Sequence, residues 1–289
     1  MLRAGGYILT EKEEELKDPE RYVFLAREMG YTAIYAPKHL SIDRMDEVRE
    51  AKRVYQKAGM PVAEVGYWDN LMDTRPEVRR KNRAEMVKRL QLAEELEAGC
   101  AVNVTGGYCE GIAWSDHDPR NFSEEHFEEA ALMAREFIDE VKPVHTHFAY
   151  EIFVFSSLDS PQQYAKMIRA VDRKQFAVHL DLTNMLRSPR EIYQARAAAE
   201  ECFRLFPERI VSAHLKDVRL VCPSVTPKIE ETVPGRGEAD LLPYIHGLAA
   251  LPQQVTLMLE HLKSAEEYRE GMEYIWKALG ESSWVRENN

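Results

Sequence analysis

Several things are scarce in this chain, and each scarcity excludes a class of protein. The four cysteines, Cys100, Cys109, Cys202 and Cys222, are widely spaced and match no Cys-x-x-Cys metal pattern, so they read as reduced thiols of a cytoplasmic protein. No apolar stretch approaches the roughly 20 residues needed to cross a bilayer. The opening Met1-Leu2-Arg3-Ala4-Gly5-Gly6 turns acidic too soon for a secretory signal. Positive charge is in deficit: 38 Lys and Arg against 49 Asp and Glu leave a formal net charge of -11. Phosphate-backbone binding needs a basic face that releases counterions, so a nucleic-acid surface is not expected. No flexible linker, low-complexity run or glycine-rich phosphate loop after the first strand is present, and the last absence disfavours a doubly wound nucleotide-binding sheet.

What is present is an alternation, repeated eight times. Short apolar segments are expected as strands at Gly6–Leu9, Thr32–Ala36, Val62–Tyr67, Ala101–Thr105, Thr146–Val154, Phe176–Asp181, Ile210–Leu215 and Val255–Glu260. Amphipathic helical stretches lie between them, among them Pro19–Met29, Asp43–Ala58 and Pro76–Ala98, the last with Gly99 as its expected stop. Ser123, and the Ser-Pro pairs at 160–161 and 188–189, are placed to cap further helices. Strands joined through helices, without hairpin turns, must pair in parallel. Eight such units predict a single (β/α)8 barrel domain over residues 1–289, since barrels of about 250 residues fold as one unit.

Barrel enzymes carry their chemistry at the C-terminal ends of the strands. The last four strands end on Glu151, Asp181, His214 and Glu260. Period-two alternation makes each the last inward side chain of its strand, above Ala149, His179, Ser212 and Met258. Three carboxylates crowded out of water repel one another and lose hydration. Either a divalent cation or a network with Arg and Lys would compensate. For a cation, the oxygen-rich donor set favours Mn²⁺ or Mg²⁺, with Co²⁺ and Zn²⁺ as alternatives.

The segments "AYEIF", "HLDLTN", "AHLKD" and "MLEHL" resemble those of the xylose-isomerase-like TIM-barrel superfamily. The match is to its sugar phosphate isomerase/epimerase branch, which includes the D-tagatose 3-epimerases. The resemblance implies one divalent metal, Mn²⁺ foremost, held by Glu151, Asp181, His214 and Glu260, with Glu151 and Glu260 also exchanging the substrate proton. It implies a small keto-sugar or polyol ketone as substrate, and relatives that often self-associate. "VPGRGEADLLPYI" resembles the loop and helix before the last strand. Two departures stand out: Asn184 replaces a histidine three residues after Asp181, and Ser157 replaces an acid six residues after Glu151. Ketohexose specificity is therefore not carried over.

Around these four, the expected substrate-binding positions are Asn184, Lys216, Arg236, Trp114 and Glu64. Lys216 shares the face of His214 and would meet a substrate anion or pair with nearby acids. Arg236 lies between two glycines, Trp114 would stand beside the substrate, and Glu64 and Asn103 point inward on parity. Tyr67, Trp68 and Tyr108 would supply an apolar wall, and His179 a buried bond to a neighbouring strand. The leading expectation is a metal-dependent isomerase or epimerase. A dehydratase of an inosose-like ketone shares its first step, and a non-catalytic sugar-binding subunit stands apart from both. A three-metal DNA-repair nuclease would need more histidines at the strand ends than the chain offers.

Overall fold

The computed structural model describes residues 2–111, 118–221 and 225–280; Trp114 and Cys222 lie outside the described residues. In chain order the strands are β1 (Arg3–Gly6), β2 (Ile34–Tyr35), β3 (Val62–Gly66), β4 (Cys100–Asn103), β5 (Phe148–Glu151), β6 (Phe176–Asp181), β7 (Ile210–Leu215), β8 (Asp217–Val221), β9 (Lys228–Thr232) and β10 (Thr256–Leu259). Eight of them form one parallel sheet in the order β1-β10-β7-β6-β5-β4-β3-β2, each joined to the next through helices. The seam between the outer two is bridged where Thr32 N and Ala33 N both donate to Ala4 O, at 2.7 and 3.0 Å. The result is a nearly closed (β/α)8 barrel, as the alternation predicts. No helix among the described residues is long and apolar enough to cross a membrane.

Strand β5 shows how parity sorts side chains. Phe148 and Tyr150 point out to the helix layer, where Phe148 meets Phe137 edge-on and Tyr150 OH donates to Ala130 O at 3.0 Å. Ala149 packs inward with Cys100 and Val102, and Glu151 follows it on the same face. Helix starts follow the expected caps: Ser123, Ser160 and Ser188 each accept a backbone N–H of the following first turn.

Four expectations are corrected. The first strand lies at Arg3–Gly6 rather than Gly6–Leu9. A Cβ on Gly5 would stand 2.2 Å from Ala33 O, so the glycine pair closes the strand at a point of close approach, whereas Gly6 was expected to open it. The helix after β3 stops at Leu96 with Glu97 left-handed (φ 53°), while Gly99 serves a close approach to Ala63 O. A hairpin, β8–β9, stands between β7 and the last barrel strand, where strands joined through helices without hairpin turns were expected. Asn103 faces the helix layer, with its amide on Asp69 O and beside Met86 Sδ, because its neighbour Val102 takes the inward position.

A candidate metal centre at the strand ends

Glu151 closes β5, Asp181 closes β6, His214 lies one residue before the end of β7, and Glu260 directly follows β10. Each offers one ligand atom, and these atoms all lie within 4.8 Å of one another. All four side chains are buried. His214 Nδ1 stands 3.2 Å from Glu260 Oε1, 3.4 Å from Glu151 Oε1 and 3.8 Å from Asp181 Oδ2.

Neighbouring groups fix these side chains. Asp181 Oδ1 accepts from Thr183 N (2.9 Å) and Asn184 N (3.2 Å), which turns Oδ2 towards the cluster. Asn184 Nδ2 donates to Glu151 Oε1 at 2.9 Å and to Ile152 O at 3.1 Å, so it braces a cluster carboxylate. Lys216 is 2% exposed, and its ammonium lies 2.7 Å from Asp181 Oδ2 and against Glu260 Oε1. Of the nearby acids expected as its partners, Lys216 therefore meets those of the cluster and not Asp217. That carboxylate instead accepts the amides of Val218, Gly235 and Gly237, tying down the Gly-Arg-Gly loop.

The electrostatics follow from burial and crowding. Burial pushes the Glu151 carboxyl up to about 7; the Glu260 and Asp181 charges add to this while His214 opposes it. Burial would lower His214, but Glu260, Glu64 and Glu151 outweigh it and hold the imidazole well above its ordinary range. Burial would raise Glu260, but His214 and Lys216 keep it well below the usual carboxylate range. Lys216, despite burial, is held strongly protonated by Asp181 and Glu260.

These residues fit a divalent cation. Donors about 2.1 Å from a shared ion stand about 3.0 to 3.4 Å apart, close to the spacings around His214 Nδ1. Asp181 Oδ2 is buried and takes no well-directed hydrogen bond, although the Lys216 ammonium is near it. Three carboxylates against one ammonium leave two negative charges if His214 is neutral. Without a cation the protonated His214 takes up part of that charge, and a bound cation, which needs His214 neutral, would take its place.

The remaining predicted positions scatter. Glu64 is 1% exposed and lies across the imidazole from the cluster, with His214 Nε2 at 3.4 Å and Ser212 Oγ donating at 3.0 Å. Arg236 is exposed and held by Glu270 of the last helix, so the glycine-flanked loop presents no free guanidinium to a ligand. His179 is buried 4.2 Å from the His214 ring, yet neither ring nitrogen makes the expected hydrogen bond. Burial, then the nearby His214 charge, lowers it to about 4 and keeps it neutral. Ser157 donates to His126 Nδ1 (2.8 Å), whose Nε2–H is committed to Gly106 O, so Ser157 supports packing.

Of the three aromatics expected as a wall, Trp68 lies 6.1 Å from the His214 ring. Tyr67 and Tyr108 bond to Asn82 and Glu129 instead. Sequence reasoning missed Tyr35, 6.4 Å from His214, and Tyr7, stacked on Tyr35 at 4.3 Å. This pair joins the centre to a cavity of about 630 Å³ lined also by Lys38, His39 and Lys263. Glu231, on the unforeseen hairpin, was missed too; it reaches within 3.6 Å of Lys216 Nζ and 2.7 Å of His261 Nδ1.

A family model described as xylose isomerase-like TIM barrel matches residues 23–278. The chain belongs to that family. Solved structures similar to this xylose isomerase-like barrel extend over nearly its whole length. A xylose isomerase-like TIM barrel protein from Mycobacterium smegmatis in complex with magnesium is 18% identical, with 93% of this chain and 92% of that one covered and a TM-score of 0.64. D-psicose 3-epimerase with D-tagatose from Clostridium cellulolyticum is 14% identical, with 98% and 99% covered and a TM-score of 0.65. Endonuclease IV from Thermus thermophilus is 16% identical, with 96% and 99% covered and a TM-score of 0.68. At these identities the likeness is one of fold, and it spans more than one chemistry. No curated protein matches the chain.

Proposed function

We propose that the protein is a divalent-metal-dependent isomerase or epimerase of a small keto-sugar or related polyol ketone. The observation that carries this reading is the convergence of Glu151, Asp181, His214 and Glu260, from four neighbouring strands of the barrel, on one buried point. The oxygen-rich donor set favours Mn²⁺ or Mg²⁺ over Co²⁺ or Zn²⁺. Family membership and the sugar epimerase among its structural neighbours support the substrate class. When bound, the ion would polarise a ketone and its neighbouring hydroxyl and so acidify the C–H between them.

The chain's own residues then divide the work. Asp181 and His214 hold the ion. Glu151, braced by the neutral Asn184 and outside the Lys216 pairs with Asp181 and Glu260, is the less firmly held carboxylate and the one assigned to move the substrate proton. Glu260, kept ionised by His214 and Lys216, is the firmer anion and the partner on the opposite side of the substrate. Tyr7, Tyr35 and Trp68 offer aromatic faces to the apolar C–H side of a sugar and exclude water around the centre. The test is mass-spectrometric detection of solvent deuterium entering ketopentoses, ketohexoses, their phosphates and inosose in the presence of Mn²⁺-loaded protein. Incorporation in at least one is expected, and a metal-loaded protein that labels none would sink the reading.

A further inference from the structure

Glu64 is a buried carboxylate with no part in the reaction just proposed. It sits in the middle of β3, 150 positions away from His214 in the chain, and is 1% exposed. Among the described residues no Lys or Arg pairs with it; its neighbours are Ser212 Oγ on Oε2, His214 Nε2 on Oε1 and His179 Nδ1 at 3.3 Å from Oε2. A charge buried so completely is costly unless its partners are fixed.

The geometry around His214 is two-sided. Nδ1 faces Glu151, Asp181 and Glu260, while Nε2 faces Glu64. With a cation held by the carboxylates on the Nδ1 side, Glu64 is the acceptor left for the proton of a neutral His214, which then lies on Nε2 and leaves the Nδ1 lone pair directed into the cluster. Without Glu64 the ring could carry its proton on Nδ1 or turn about Cβ–Cγ, and either change removes the donor. His179 does not substitute, because its ring packs against that of His214 and neither nitrogen is bonded.

We infer that Glu64 is a positioning residue of the metal centre, holding His214 in the Nε2–H form so that Nδ1 serves as ligand. The inference rests on the metal reading above, and its test separates the two. Co²⁺ affinity by calorimetry and the visible spectrum of the Co²⁺ protein are measured for wild type, Glu64→Met, Glu64→Gln and His214→Ala, with circular dichroism to check folding. Glu64→Met should weaken Co²⁺ binding about 10- to 100-fold and alter the spectrum, the usual cost of losing an outer-shell partner. Glu64→Gln, whose carbonyl still accepts from Nε2–H, should recover most of the affinity. Wild-type binding by Glu64→Met together with loss in His214→Ala overturns the positioning role and leaves the metal reading intact. Unchanged binding in His214→Ala overturns the metal reading itself. Two Co²⁺ per wild-type chain, with one lost in Glu64→Met, would make Glu64 a ligand and not a support. Should Glu64→Met fail to fold, ¹⁵N-histidine NMR of the Zn²⁺-loaded wild type decides: a proton on Nδ1 of His214 refutes the inference, and one on Nε2 upholds it.

Discussion

The ammonium of Lys216 lies 2.7 Å from Asp181 Oδ2, inside the ring of carboxylates that would hold the metal. The cluster therefore carries its own partial counter-charge, in contact with Glu260 as well. Removing one partner of a buried pair leaves an uncompensated charge, at a cost of about 3 to 5 kcal/mol. Lys216→Met should accordingly lower the stability of the protein in EDTA by an amount of that order. Added Mn²⁺ should stabilise the variant more than the wild type, since a cation then meets one more unbalanced charge. Thermal melts with EDTA and with Mn²⁺ measure both. Equal Mn²⁺-induced shifts in the two proteins would count against Lys216 and the ion sharing these carboxylates.

Metal uptake should release protons. His214 is held well above its ordinary range by Glu260, Glu64 and Glu151, so without a metal it carries a proton through neutral pH. A histidine ligand must be neutral, and coordination displaces that proton. Glu151, near 7, contributes a further fraction where it is still protonated. The sign is fixed: apparent affinity rises with pH, by up to about tenfold per unit for each proton displaced, and is lost towards acid. Calorimetry in buffers of different ionisation enthalpy reads the proton count directly. Mn²⁺ affinity independent of pH between about 5.5 and 8 would exclude His214 and Glu151 as ligands.

The barrel seam yields a prediction about folding. A Cβ on Gly5 would lie 2.2 Å from Ala33 O and 3.0 Å from Met258 Cε. The carbonyl belongs to the backbone that bridges β1 to β2 and has little room to move. Gly5→Ala should cost about 2 kcal/mol or more, in the range of overpacked cores. A urea midpoint within experimental error of wild type would show that the strands can separate without penalty.

The barrel was legible because its signal is local. Phe148 and Tyr150 alternate with Ala149 and Glu151, and such period-two patterning marks both a strand and its inward face. The same parity, read from four strands, brought together residues as distant in the chain as Glu151 and Glu260. What escaped was set by contacts that no short window contains. The sequence alone has Gly6 opening the first strand, and only Ala33 and Tyr268 beside Gly5 and Gly6 show why the pair closes it. The bracing of Glu151 by Asn184, the pairing of Lys216 with Asp181, and the contact of Glu64 with His214 join separate strands or loops. The β8–β9 hairpin lacks a two-residue glycine turn, so nothing local marked its "DVRLV" and "KIEET" segments as a strand pair. Arg236 was misleading in the opposite way: its flanking glycines serve the cradle around Asp217, while its guanidinium goes to Glu270.

The two glutamates should separate when each is replaced by glutamine. Glu260 is held as an anion by His214 and Lys216, which suits a permanent ligand and disfavours its taking up a proton. Glu151 is outside the Lys216 pairs, is braced by the neutral Asn184, and holds its proton more readily than Glu260 before the ion binds, so it is the carboxylate better able to take one up. A group that must accept a proton from carbon and later return it works best with a pKa near the working pH. Glu151→Gln keeps a carbonyl oxygen for the ion but cannot accept the proton. It should retain Mn²⁺ within about tenfold of wild type while solvent deuterium exchange falls by about 10²- to 10⁴-fold. Glu260→Gln removes the anion that balances both His214 and Lys216, so its larger effect should be on Mn²⁺ affinity, with exchange partly restored at saturating metal. Atomic absorption and mass spectrometry on the same samples give occupancy and exchange together. If Glu151→Gln exchanges at the wild-type rate when fully loaded, the proton is carried elsewhere, and Glu151 remains a ligand alone.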